Sequence, residues 1–111
     1  MATITTHVLD TARGKPAAEV TVTLDALDGG AAQVIARGAT DQDGRLKTLT
    51  GGGVPAGTYR LTFDTGAYFA RHGDDAFFPT AQITFVVKDA SAHFHVPLLL
   101  SPFGYTTYRG S

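Results

Sequence analysis

No cysteine occurs among the 111 residues, which excludes disulfides, thiolate metal sites and a cysteine nucleophile. Charge of one sign is lacking too: nine Lys and Arg stand against ten Asp and Glu, a formal net charge of -1. A phosphate-binding surface needs a marked cationic excess, so non-specific nucleic-acid binding is excluded. No run of like charges is longer than the pair Asp74-Asp75, so no acidic or basic tail is expected. Apolar stretches stay well short of the ~18 residues that suggest a membrane span. The start, MATITTHVLD, lacks the basic and apolar regions and the cleavage site of a secretory signal. What is present is a hydrophobic share of 43%, too apolar for disorder. At this length roughly two-thirds of the unfolded surface can be buried. The expectation is one soluble, globular domain over residues 1–111.

Thirteen glycines and five prolines punctuate the chain, and no long helical period emerges between them. Val20 to Leu24 alternates apolar and polar side chains, as a half-buried strand does. Leu46–Leu49 and Tyr59–Phe63 alternate likewise, and Ile83–Val87 and His93–Val96 are rich in β-branched and aromatic residues. Gln33–Gly38 and Thr3–Asp10 supply further strands. Turn chemistry separates them at Arg13–Pro16, Asp28–Gly30, Asp41–Gly44 and Pro55–Gly57. Seven or eight short strands spaced in this way predict an all-β, two-sheet antiparallel sandwich. The one candidate helix is short, Gly66–Arg71, ahead of Gly73.

Strand periodicity puts His93 and His95 side by side on one face and turns Phe94 into the core. Spacing alone leaves three readings open for the pair: solvent-facing polar residues, part of a catalytic face, or zinc ligands with His7 as the third imidazole. Pro97 lacks an amide donor and marks a strand edge or irregularity. If Val8 faces the core, His7 faces outward with Thr5 and Leu9. Arg45 opens a strand after the Asp43-Gly44 turn, where its fork of donors can serve a planar, carbonyl-rich ligand or merely sit in solvent. His72 reads as a loop residue without function. Gly51-Gly52-Gly53 lacks the Gly-Lys-Ser/Thr ending of a phosphate loop and precedes Val54-Pro55 rather than a helix. The end, Tyr105 to Ser111, follows the turn Ser101–Gly104 and is expected to return as a hairpin strand beside the histidines. It would carry a phenol, a guanidinium and a hydroxyl towards them.

These residues together resemble the transthyretin-related 5-hydroxyisourate hydrolases of purine catabolism. The resemblance runs through Thr6–Thr11, Gly14–Ala17, Thr40 with Asp43–Arg45, Tyr68-Phe69 and Phe77–Pro79. It is most specific at His93–Pro102 and in the closing Tyr108-Arg109-Gly110-Ser111. Phe94 and Thr106 depart from it, where many relatives have Tyr and Ser. The resemblance implies a homotetramer, a dimer of dimers, with active sites in the channel between dimers. It implies hydrolytic opening of the six-membered ring of the small molecule 5-hydroxyisourate without cofactor or metal. By the same resemblance His7, Arg45, His95 and Ser111 would be catalytic, and His7, Arg45, Tyr108, Arg109, Gly110 and Ser111 would bind substrate. A cytoplasmic setting is expected, with the periplasm left open. The alternatives are a non-catalytic, transthyretin-like carrier of a small ligand and the His-ligated zinc hydrolase.

Overall fold

The computed structural model describes residues 1–110. Alternation governs the first strand, β1 (Thr3–Asp10), which buries Ile4, Thr6, Val8 and Asp10 and turns Thr3, Thr5, His7 and Leu9 outward. The strands that follow are β2 (Lys15–Pro16), β3 (Thr21–Asp28), β4 (Ala31–Ala39), β5 (Arg45–Leu46) and β6 (Gly57–Phe63). Helix α1 (Thr65–Arg71) precedes β7 (Ala81–Val87), β8 (His93–Ser101) and β9 (Gly104–Thr107). One sheet runs β2-β1-β8-β9, with β5 also paired to β1, and the other runs β4-β3-β6-β7. Ile4, Val8, Leu98 and Leu100 of the first sheet and Leu24, Leu61 and Phe63 of the second belong to one hydrophobic core. Each such side chain contributes about 1.5–3 kcal/mol by leaving water. The described helix is too short to cross a membrane.

Two expectations change. The sheets are not wholly antiparallel: β1 and β8 run parallel from Thr3 opposite His93 to Asp10 opposite Leu100. Only chain neighbours joined by a tight turn must be antiparallel, and this pair is separated by the whole second sheet. The expected strand Leu46–Leu49 shrinks to Arg45–Leu46, because Gly51 N donates to Thr48 O (3.3 Å) and Gly53 N to Thr50 O (2.8 Å). That turn swings Leu49 back into the core. Helix α1 starts where Asp64 Oδ1 accepts from Ala67 N at 3.1 Å, satisfying an otherwise unpaired first-turn amide.

A buried carboxylate ties α1 to the end of β1. Asp10 accepts from Tyr68 OH (2.7 Å), Ala12 N (3.0 Å), Arg13 N (3.0 Å) and Arg13 Nη1 (3.1 Å). Burial by itself pushes the Asp10 carboxyl up, but these bonds and the Arg13 charge outweigh it and hold the group below its ordinary value. Burial, then the bond to Asp10, pushes the Tyr68 phenol up to about 12.

Candidate active site

The outer face of the first sheet carries the imidazoles. Parallel register sets Thr3 beside His93 and Thr5 beside His95, while His7 lies opposite Pro97 on one side and Arg45 on the other. Because β8 alternates as predicted, Phe94 is buried and His95 is half-buried on the opposite face. Thr5 Oγ1 lies 2.8 Å from His95 Nδ1 and 3.1 Å from His93 Nε2, and Thr3 Oγ1 lies 2.6 Å from His93 Nδ1. His7 Nε2 donates to the Asp43 carbonyl at 2.9 Å. A carbonyl can only accept, so His7 carries its proton on Nε2 and offers a lone pair at Nδ1 when neutral.

Arg45 is held by the turn before it. Asp41 Oδ1 accepts from Asp43 N (2.9 Å) and Arg45 N (3.0 Å), and Val8 N donates to Gly44 O at 2.7 Å. Gly44 has φ 74°, and a Cβ there would strike the Val8 carbonyl, so only glycine lets the turn sit this close to β1. The backbone bond to Arg45 is the main reason the Asp41 carboxyl lies below its ordinary value. Arg45, Lys47, Thr5, His93 and His95 line a polar cleft of about 320 Å³. Among the described residues the Arg45 and Lys47 side chains have no hydrogen-bond or ion-pair partner. Burial, followed by the charges of His7, His93 and Arg45, lowers the pKa of His95. Its imidazole is therefore a neutral base at neutral pH.

The tail meets this face through its backbone. The carbonyl of Pro97 accepts Thr107 Oγ1 at 2.7 Å, and Pro97 has no amide to return. The ladder breaks there and resumes where Gly110 N donates to His95 O at 2.8 Å. Between those points the side chains of Tyr108 and Arg109 turn to the other face of β8. Both border a separate, mainly apolar cavity of about 240 Å³ beside Ile83, Phe85 and Phe94. The Arg109 guanidinium stacks over the Phe94 ring at 4.6 Å. Within one chain, His7, Arg45, His93, His95 and Gly110 therefore come together, and the side chains of Tyr108 and Arg109 do not join them. Ser111 lies outside the described residues. Sequence reasoning missed Lys47 and Thr5, although each lies two residues from a named candidate in a strand or just beyond one. Among the described residues no three His, Asp or Glu side chains converge as metal ligands. The zinc arrangement of His7, His93 and His95 is therefore not assembled, and both His93 ring nitrogens are engaged by threonines.

A two-sheet sandwich with one short helix and an imidazole-bearing outer face defines a transthyretin-like protein with a polar site. A 5-hydroxyisourate hydrolase 2 from Rhizobium meliloti is 46% identical over 97% of this chain and 95% of its own length. The structure of Klebsiella pneumoniae 5-hydroxyisourate hydrolase superimposes with a TM-score of 0.90 at 45% identity, covering 100% of both chains. Sea bream transthyretin in complex with thyroxine gives a TM-score of 0.90 at 35% identity, over 96% of this chain and 93% of that one. The family model for HIUase/Transthyretin matches residues 4–110. The chain belongs to the HIUase/Transthyretin family.

Proposed function

We propose that this chain is a 5-hydroxyisourate hydrolase acting as one domain, opening the substrate's six-membered ring to 2-oxo-4-hydroxy-4-carboxy-5-ureidoimidazoline. The observation that carries this reading is the half-buried His95, neutral at physiological pH, on a cleft that also presents Arg45 and Lys47. With Nδ1 occupied by Thr5, His95 Nε2 takes a proton from water as the oxygen attacks a ring carbonyl. Positioned imidazole catalysis of this kind gives on the order of 10² to 10⁴ in rate. Arg45 anchors the carbonyl and imide edge and stabilises the developing oxyanion. His7 supplies a second imidazole for proton handling. Tyr108 and Arg109 bind substrate from the tail, and Ser111 orients a histidine or the water.

The working unit is a homotetramer, a dimer of dimers, with each site in the channel between dimers. Two features support it: the cleft opens on an outer sheet face that no other element among the described residues covers, and Tyr108 and Arg109 diverge from that cleft. Facing subunits can then bring together side chains that one chain separates. The test follows freshly generated 5-hydroxyisourate by ultraviolet absorbance, with and without protein, because the compound also decays spontaneously. The expected result is clear acceleration, cut about 10²-fold or more by His95→Asn with the assembly intact. Loss no faster than spontaneous decay sinks the assignment, and near-normal turnover in the variant removes His95 from the chemistry.

A further inference from the structure

Thr5 stands between two imidazoles, and each of its contacts is of hydrogen-bond length. Its hydroxyl lies 2.8 Å from His95 Nδ1 and 3.1 Å from His93 Nε2, and the far nitrogen of His93 lies 2.6 Å from the Thr3 hydroxyl. Four side chains thus form the unbroken series Thr3–His93–Thr5–His95. Only Nε2 of His95 is left outside it. We propose that this series is a proton relay in which Thr5 sets the tautomer of His95 and His93 takes over the charge His95 acquires. The proposal rests on the hydrolase reading above and gives His93, Thr5 and Thr3 a positioning role in it.

A hydroxyl owns one proton and accepts through its lone pairs, so the series has two internally consistent polarities. In the first, His95 Nδ1–H donates to Thr5, the Thr5 O–H donates to His93 Nε2, and His93 Nδ1–H donates to Thr3. His95 Nε2 then holds a lone pair. In the second every bond is reversed, and His95 carries its proton on Nε2. Starting from the first, water gives a proton to His95 Nε2 while its hydroxide attacks the substrate carbonyl. His95 passes its Nδ1 proton to Thr5 Oγ1, and the original Thr5 proton moves to His93 Nε2. Each heavy atom between the two rings ends with the number of protons it began with, and the positive charge rests on His93. Return of the same two protons recharges His95, which then delivers its Nε2 proton to the leaving nitrogen.

The energetics favour moving that charge. His95 is half-buried, whereas His93 is exposed to solvent. Among the described residues, the groups facing His95 are His7 from β1, Arg45 and Lys47 from β5 and the stretch after it, and His93 on its own strand. From the tail, Gly110 brings only backbone, and Arg109 lies across Phe94 on the other face. Burial, followed by the charges of His7, His93 and Arg45, depresses the pKa of His95. A cation left there is poorly solvated, and one transferred to His93 regains water.

Two substitutions at Thr5 test the relay. Thr5→Val keeps the branched shape and deletes the hydroxyl, and Thr5→Ser keeps the hydroxyl. The valine variant is expected to lose about 10- to 100-fold in kcat at near-normal KM, with serine restoring kcat to within about threefold. Single-turnover rates in H₂O–D₂O mixtures should bow downward for the native protein and the serine variant, as two or more moving protons require. They should become linear for the valine variant. A Thr5 that merely packs would lower kcat without changing that shape, and a linear native response overturns the proposal. Nitrogen-15 NMR of the substrate-free protein reads the same series without catalysis. His93 and His95 should share one tautomer, and finding His93 Nε2–H with His95 Nδ1–H, both donating to Thr5, overturns the relay. Shared tautomers in a protein that does not accelerate 5-hydroxyisourate loss would support the hydrogen-bonded series and defeat the hydrolase assignment instead.

Discussion

Gly110 lies against the imidazole of His95, and this contact permits a sharp perturbation. A Cβ added at Gly110 would sit 2.7 Å from His95 Cδ2 and 3.3 Å from both His95 Cγ and Pro97 Cγ, whereas ordinary contact begins at 3.4 Å. In Gly110→Ala the ring and the tail must therefore separate by about 0.7 Å. Gly110 has an ordinary negative φ, so alanine adds bulk there without backbone strain. The displacement can be taken up by rotating the ring, which breaks the 2.8 Å bond to Thr5, or by lifting the tail, which breaks the Gly110 N to His95 O bond. Misplacing a catalytic group by about 1 Å costs on the order of 10²-fold. The alanine variant is expected to lose roughly that factor in kcat, read as the enzyme-dependent loss of 5-hydroxyisourate absorbance over the spontaneous rate. Overpacking costs about 1–3 kcal/mol in a tight core and less at a partly exposed position such as Gly110, so urea melts should move little. Full turnover with unchanged stability would refute the idea that the tail backbone holds His95 in register.

Acidification tests the assignment of His95. Its pKa is lowered below 6.5, and the base must be neutral, so the acid limb of kcat/KM should be centred below that value; an acid limb centred above it would contradict the assignment. Tyr68→Phe removes one donor from the buried Asp10 carboxylate. The expected cost is about 1.5–3 kcal/mol in urea unfolding near pH 7. Since the folded pKa of Asp10 is depressed, its stabilisation is present above the unfolded value and lost as pH falls through the folded one. In the phenylalanine variant that loss should begin at higher pH, and identical acid-unfolding curves would discount the bond.

Much of the site could be read from period-two patterning. Once Val8 and Phe94 are taken as inward, His7, His93 and His95 must face outward, and the structure has them so. The short helix is legible from Gly66–Arg71 and begins one residue earlier at Thr65. The parallel pairing of β1 with β8 is not legible, because it joins segments that no local turn connects. Lys47 lay inside the expected strand Leu46–Leu49 but belonged to no motif, and only the pairing of Arg45 with His7 brings this stretch to the cleft. The side chains of Tyr108 and Arg109 diverge from the histidines because alternation cannot be carried across the gap opposite Pro97. That proline was visible as an irregularity, but not the direction in which the tail would leave.

The side-by-side alignment of β1 and β8 has a consequence for how the molecule comes into being. Thr5 and His95 are 90 positions apart, so a chain emerging from the ribosome exposes its first strand long before the partner strand is synthesised. Pairing at such separation is entropically slow, and the nascent first strand carries an open edge that other chains could capture. The cleft that Thr5 shares with His93 and His95 therefore cannot exist before β8 has been made, however early β1 appears.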